Sequence, residues 1–383
     1  MAEDNSKSGP VLFFSPGIFP CGCGGMELFD YHMIKSLVKD TPLVLATCCR
    51  ASFSGIRTIR LHTRLFGIRR LGFSKLSIVL SSMVRLLAIQ PKPSVICVSA
   101  TSSTGFYGYI FRWVKRIRSI PYIVVMHCGE LRPWRRLSGN HILFAGASRI
   151  LAVSQPIRDE ISRRCGRSVD IVFPLLPFVK SSAPASELKS KLGFEKQDRI
   201  LLYVGSLKEM KGVADILGAF LSLEDEYIAK KRLHLVFAGD GPLRKALKIQ
   251  ASRSVSYESV CFLGNVPHTR IQDIYGASDI FVMASSCEGT PLALLEAEFN
   301  GLSIVASNVR GINQLIRDQE NGLLFSHGNR TELAMRIRSL VEDIELAARL
   351  GRSAEAHFNT NFDYQQTITA FKKAINDGFR RVG

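Results

Sequence analysis

Residues 280–307 read IFVMASSCEGTPLALLEAEFNGLSIVAS. Four apolar residues, Ile280–Met283, predict a buried strand. A Ser/Glu/Gly turn follows. Thr290 and Pro291 then form an N-cap and N1 pair that opens a helix over LALLEAEFN, and Gly301 is a C′ glycine that closes it. A second apolar strand, Ser303–Ala306, comes next. Strand, helix and strand with uninterrupted apolar strands predict a parallel sheet covered on both faces. Three glutamates interrupt this apolar unit. Glu288 falls before the helix, and Glu296 lies about a turn and a half inside it at ~1.5 Å per residue. The backbone amides of Gly289, Thr290 and Leu292 stand between them. Two readings fit the pair. It grips a ligand with hydroxyls at both ends and an anion between, or Glu288 caps the helix and Glu296 meets a buried arginine.

The same alternation continues outward in both directions. Upstream, strands are predicted at Val11–Ser15, Leu43–Cys48, Val95–Ser99, Tyr122–His127, Ile150–Val153 and Val169–Phe173. Helical patterns separate them at Met26–Val38, Leu76–Ala88, Gly105–Ile117 and Gln155–Cys165. Pro174–Phe194 is rich in Pro, Ser and Lys and reads as a linker. A second series has strands at Ile200–Gly205, His234–Ala238, Val260–Leu263, Ile280–Met283 and Ser303–Ala306. The expected fold is α/β, with two Rossmann-like, doubly wound parallel-sheet domains facing a cleft. The expected domains are 1–178 and 179–360, with a C-terminal helix at 361–383 that crosses back to the first.

Glycine turns follow several strands. In PGIFPCGCGGMELF, Gly24 and Gly25 precede a helix, as a phosphate or sugar loop or as a plain tight turn. In YVGSLKEMKGVADIL, Lys211 precedes a helix start and is a point charge for an anion. FAGDGPLRKAL reads as a structural turn, and no Walker loop is present.

The chain has 383 residues, 46% hydrophobic and 22% charged, as in a globular two-domain protein. The nine cysteines include no CxxC pair, so neither a zinc site nor a disulfide framework is expected. No signal peptide and no apolar run of spanning length are read. The net charge of +17 is unevenly placed. Met1–Lys180 carries 25 Lys and Arg against 9 Asp and Glu, and the remainder 25 against 24. No acidic residue lies between Asp40 and Glu130. Such a field attracts polyanions.

With these motifs in view, the second half resembles the donor-binding domain of retaining glycosyltransferases of family 4, which have the GT-B fold. The E-x7-E signature stands as Glu288 and Glu296 in EGTPLALLE. Around it, in family order, lie VGSLKEMKG, FAGDGPL, CFLGNV, YGASDIFVMAS, GLSIVAS and ENGLLF. The first half fits through Gly24-Gly25, followed by Glu27, and through His127 in YIVVMHCGE. The resemblance implies that Glu296 holds the ribose of a nucleoside diphosphate sugar and that Glu288 sits near the donor sugar. Lys211 and the segment Gly289, Thr290, Pro291 and Leu292, through the amides other than that of the proline, would hold the diphosphate. Gly264, Asn265 and Val266 would face the base. His127 would contact the donor sugar, and Gly24-Gly25 would admit the acceptor. It implies no metal and no cofactor beyond the donor substrate. Retention is assigned to same-face attack assisted by the leaving phosphate, with Glu288 as nucleophile the alternative. The chain departs from the pattern at Ser206, where an arginine is usual, which leaves Lys208 or an arginine elsewhere as a second phosphate contact. Ala284, Gln314, Glu298 and Phe299 are further departures, and Glu298 gains no role.

In this architecture the first domain takes the acceptor. Its basic segment mixes Arg57, Arg60, Arg64, Arg69, Arg70 and Lys75 with Leu, Ile and Phe, in the manner of interfacial helices or loops. A glycan or lipid-linked acceptor at the cytoplasmic face of an anionic membrane is expected, with a solvated basic face as the bland alternative. The expected activity is sugar transfer from a UDP- or GDP-sugar in cell-surface polysaccharide, lipopolysaccharide or glycolipid synthesis. Alternatives are a binding subunit of the same fold without catalysis, or a nucleic-acid-binding protein. No recognised nucleic-acid module supports the last, so no nucleic-acid partner is expected.

Overall fold

The computed structural model describes residues 9–15, 25–47, 53–60, 84–101, 107–127, 139–174 and 177–380. The chain divides into two compact units, one of residues 1–176 with 364–383 and one of residues 177–363.

The first unit is built on seven parallel strands: β1 (Val11–Ser15), β2 (Leu43–Thr47), β3 (Arg57–Arg60), β4 (Val95–Ala100), β5 (Tyr122–Met126), β6 (Arg149–Ala152) and β7 (Asp170–Ile171). Their order is β3-β2-β1-β4-β5-β6-β7. β1, β2, β4 and β5 are buried along their whole length, as expected of strands covered on both faces. The order reverses between β1 and β4, which are paired from Val11↔Val95 to Phe14↔Val98. This is the switch point at which doubly wound sheets bind ligands. The C-terminal helix Tyr364–Arg380 packs on this sheet, with Phe371 6.4 Å from the rings of both Phe13 and Phe29. Asp377 on the same helix accepts from Arg149 at 2.7 Å.

The second unit has six parallel strands: β8 (Arg199–Val204), β9 (Leu233–Ala238), β10 (Val260–Gly264), β11 (Ile280–Met283), β12 (Ser303–Ser307) and β13 (Leu323–Phe325), in the order β10-β9-β8-β11-β12-β13. Here the order reverses between β8 and β11. The turns after these two strands carry Lys211 and Glu288.

Three expectations need correction. Pro174–Phe194 is not all linker, because Ala185–Lys191 forms a helix. Leu188 buries its side chain, and Lys189 reaches Asp279 at 2.9 Å. Second, Arg57 and Arg60 are on neither an interfacial helix nor a loop but on β3, the edge strand of the first sheet. Arg57 donates to the carbonyl of Gln90, and Arg85 donates to that of Arg60 at 2.6 Å. Arg64, Arg69, Arg70, Lys75 and Gly24 lie outside the described residues, and Gly25 opens the helix Gly25–Leu37. Third, the helix after Glu288 spans Leu292–Phe299, with Pro291 rather than Thr290 at the cap position. Among the described residues no helix is long and apolar enough to cross a membrane.

Candidate active site

The site is built where β8 and β11 end. After β8 the chain turns through Ser206, whose carbonyl accepts from the Tyr203 hydroxyl at 3.0 Å. Leu207 donates its amide to the carbonyl of Asp240 at 2.9 Å, which fixes the turn against the chain after β9. A short 3-10 turn, Glu209–Lys211, follows, with the exposed Lys208 as its cap. Gly212 ends that turn at φ +63. A Cβ there would lie 2.1 Å from the carbonyl oxygen of Ala284, at the end of β11. Glycine therefore serves twice: it takes the left-handed conformation, and it lets Lys211 approach the neighbouring strand end.

Across this close approach, Lys211 Nζ meets Glu288 Oε1 at 2.6 Å. The Ser285 hydroxyl donates to the same oxygen, also at 2.6 Å. The Glu288 backbone is fixed independently, since its amide donates to the carbonyl of Arg310 at 3.1 Å. Gly311, at φ +91, leaves room for it, because a Cβ would lie 2.2 Å from the Glu288 carbonyl oxygen. The Glu288 side chain is 10% exposed and that of Lys211 25%, so the pair is partly shielded yet open at one edge. Of the predicted residues, Lys211 and Glu288 are brought together directly. Gly289, Thr290, Pro291 and Leu292 continue from Glu288 into the helix Leu292–Phe299. The first amides of any α-helix have no partner within it, and its dipole is positive at that end.

Glu296 lies one face further in, buried on the same helix. Among the described residues it does not meet an arginine. The Tyr275 hydroxyl contacts its Oε2 at 3.0 Å and donates to the carbonyl of Ala293 at 2.9 Å. His268 Nε2 lies 3.9 Å from Oε1. Burial pushes the Glu296 carboxyl up to about 7, with the tyrosine contact acting in the opposite direction. The same burial lowers His268. His268 and Tyr275 both belong to the helix His268–Ala277, seven residues apart and so on one face. Sequence reasoning missed both. The available signal was the placement of His268 just past the CFLGNVP turn, at a helix start.

The turn predicted to face a base also has a neighbour that was missed. Gly264 is at φ +71, and a Cβ there would lie 3.3 Å from the Arg244 guanidinium. Arg244 is held by Asp240 at 2.8 Å, and Asn265 beside it is exposed. Lys248 stands 5.9 Å over the Phe262 ring.

Glu298, left without a role by the sequence, is fully buried and points elsewhere. His357 Nδ1 lies 2.9 Å from its Oε1, and Asn321 Nδ2 donates to that oxygen at 3.2 Å. It joins the helix Leu292–Phe299 to the helix Ile344–Asn361. Burial raises its pKa, and the histidine and asparagine oppose that shift.

In the first unit, His127 directly follows β5, and its amide donates to the carbonyl of Ala100 at 3.0 Å. Its side chain is 6% exposed and 3.7 Å from a second buried group, Asp30, which the sequence reading had not singled out.

Comparisons with known proteins bear on the family and the fold. Residues 185–357 match the family model described as glycosyl transferases group 1. The chain is 26% identical over 196 residues to the N-acetyl-alpha-D-glucosaminyl L-malate synthase of Bacillus anthracis, covering 51% of this chain and 50% of that protein. It is 30% identical over 174 residues to a glycogen synthase of Mycobacterium tuberculosis, covering 44% of this chain and 40% of the relative. The chain thus spans about half the length, or less, of these curated relatives. Among solved structures it is similar to Anabaena HepE in complex with UDP and glucose. That likeness has a TM-score of 0.76 at 19% identity and covers 96% of this chain and 99% of that one. Over residues 185–357 the chain is similar to the glycosyl transferases group 1 family, and its two parallel-sheet units take the GT-B fold.

Proposed function

We propose that the protein is a retaining glycosyltransferase of family 4 that moves a sugar from a nucleoside diphosphate sugar to a glycan or lipid-linked acceptor. The observation that carries this reading is the Lys211–Glu288 pair at 2.6 Å, set where β8 and β11 diverge and directly before a helix N-terminus. Breaking a glycosyl–phosphate bond leaves negative charge on the diphosphate. A lysine and a helix start fixed beforehand stabilise that charge without reorganising. In this reading Lys211 and the Gly289–Leu292 segment take the phosphates, Glu288 a hydroxyl of the sugar, and Glu296 the ribose. Gly264, Asn265 and Val266 take the base. Ser206 and Lys208 line the phosphate side, and His127 and Gly24-Gly25 serve the sugar and acceptor. The acceptor hydroxyl attacks the anomeric carbon from the face the diphosphate leaves. The bond from that carbon to the phosphate oxygen breaks, and the acceptor proton passes to the departing phosphate. No protein-bound metal or cofactor is invoked.

The structure of a relative by fold holds UDP and glucose, which supports a uridine donor for the first trial. The concentration of positive charge in Met1–Lys180 supports an acceptor at an anionic membrane face, in cell-surface glycan synthesis. Ser206, in place of the usual arginine, favours a second reading as a binding subunit without catalysis. Purified protein incubated with UDP-, GDP- and ADP-sugars separates the two. Release of the nucleoside diphosphate, abolished in Lys211→Ala and Glu288→Ala, supports transfer, while binding without turnover supports the second reading.

A further inference from the structure

Asp30 stands on the helix Gly25–Leu37 beside Phe29 and near Met33, Ile34 and Leu37, all of which are buried, and it is itself fully buried. A carboxyl on the apolar face of a helix is costly unless something nearby offsets it. Among the described residues no lysine or arginine pairs with it. Its surroundings are the ends of three strands: Ser15 on β1, Ser99 on β4 and His127 after β5. These ends lie at or beside the switch point of the first sheet.

The hydrogen bonding is half complete. The Ser15 hydroxyl contacts Asp30 Oδ2 at 2.5 Å. Asp30 Oδ1 and His127 Nε2 are both buried without a hydrogen-bond partner among the described residues, 3.7 Å apart. Leaving each buried polar atom unmet costs about 1–3 kcal/mol. Closing that gap to hydrogen-bond distance would join them. The Phe29 ring packs edge-on against the imidazole at 5.4 Å and limits its movement.

The remaining charged and titratable neighbours favour a neutral acid. Burial raises Asp30 to about 8, the Ser15 and Ser99 hydroxyls oppose the shift, and Glu27, three residues earlier on the helix, adds to it. Cys97 on β4 is also driven upward by burial and by Asp30. Burial lowers His127 to about 3, so the imidazole is neutral at ordinary pH.

We propose that Asp30 is a positioning residue whose acid proton lies between Oδ1 and His127 Nε2, and that it holds the imidazole in the form with its other proton on Nδ1. A ring nitrogen that accepts a hydrogen bond carries no proton, so the proton of a neutral imidazole must then be on Nδ1. Should the shared proton cross to Nε2, the pair becomes carboxylate and imidazolium, and Nδ1 is still protonated. In both arrangements Nδ1 is a hydrogen-bond donor. The consequence for sugar transfer rests on the proposed function: His127 offers a proton to a substrate oxygen rather than a lone pair to a hydroxyl.

The position of the proton can be read without any activity. In nitrogen–proton correlation spectra of protein carrying isotope-labelled histidine, the His127 signal is identified by its loss in His127→Gln. At neutral pH the proton is expected on Nδ1. A bare Nδ1 with the proton on Nε2 overturns the proposal, whatever the protein's function. Asp30→Leu is expected to move the proton to Nε2, and an unchanged ring form counts against the proposal. If that variant does not fold, Asp30→Asn decides through turnover. Wild-type turnover should fall as pH rises through about 8, where the pair loses its proton. In Asp30→Asn, whose amide donates to Nε2 and does not ionise, turnover should persist and that fall should vanish. The same fall in Asp30→Asn as in wild type contradicts the proposal.

Discussion

Lys211 Nζ and Glu288 Oε1 lie 2.6 Å apart, joining residues 77 positions apart in sequence across the point where the second sheet reverses its strand order. Each holds the other near the opening of the helix Leu292–Phe299. Lys211→Ala should therefore lower sugar transfer by roughly 10²–10³-fold, the range for losing one fixed charge-stabilising donor. Lys211→Arg should recover only part of it, because the guanidinium is a planar fork rather than a point charge. Steady-state turnover, with circular dichroism to confirm an intact fold, measures this directly.

Glu296 connects function to stability. Its folded-state pKa is raised from 4.5 to about 7, so folding favours its protonated form. The stability tied to that proton is complete below about pH 4.5 and is lost as pH rises through about 7. Glu296→Gln keeps the shape and never ionises. Its melting temperature should match or exceed wild type, by a margin that grows between pH 5 and 8, roughly along the titration that the raised pKa implies. A margin that shrinks over that range would falsify the burial account of this carboxyl.

Glycine 212 is a sharper test of the local backbone. Gly166 and Gly212 share φ +63, but a Cβ on Gly166 meets open space, whereas one on Gly212 meets the Ala284 carbonyl at 2.1 Å. Gly166→Ala should cost about 1 kcal/mol, the strain of the left-handed conformation alone. Gly212→Ala should cost clearly more and should also displace Lys211 from Glu288. Urea denaturation of the two variants compares them. Equal losses would show that the close approach to Ala284 is not required.

The Glu298–His357 contact at 2.9 Å accounts for a glutamate that the sequence left unexplained. Removing the histidine alone leaves a buried carboxyl with Asn321 as its remaining partner among the described residues, where Oε2 is already unmet. His357→Ala should destabilise by roughly 1–3 kcal/mol. A double change, Glu298→Leu with His357→Leu, should recover much of that loss, since apolar replacement of a buried polar pair is often neutral. Thermal denaturation of the single and double variants completes the cycle.

What could be read from the sequence followed burial. The central strands are apolar throughout because both faces are covered, so Val11–Ser15 and Ile280–Met283 stand at the predicted bounds. β3 escaped because RTIR is an edge strand with exposed arginines, and β13 because it is only LLF. The helix Ala185–Lys191 was hidden by its Pro, Ser and Lys context. In the candidate site, Lys211 and Glu288 were legible from their turns and Glu296 from the helix that follows. Tyr275 and His268 were not, because they reach Glu296 from a separate helix. Asp30 was missed for a related reason: a lone acidic residue in a helix reads as solvent-facing until the packing shows otherwise.

The most direct test of the central claim is turnover of a nucleoside diphosphate sugar by the purified protein, wild type beside Lys211→Ala and Glu288→Ala. The account predicts release of the nucleoside diphosphate by the wild type and its loss in both variants, with their folds intact. Undiminished release in both variants would contradict the assignment of Lys211 and Glu288 to the reacting centre. Donor binding by the wild type without any release would contradict catalysis itself.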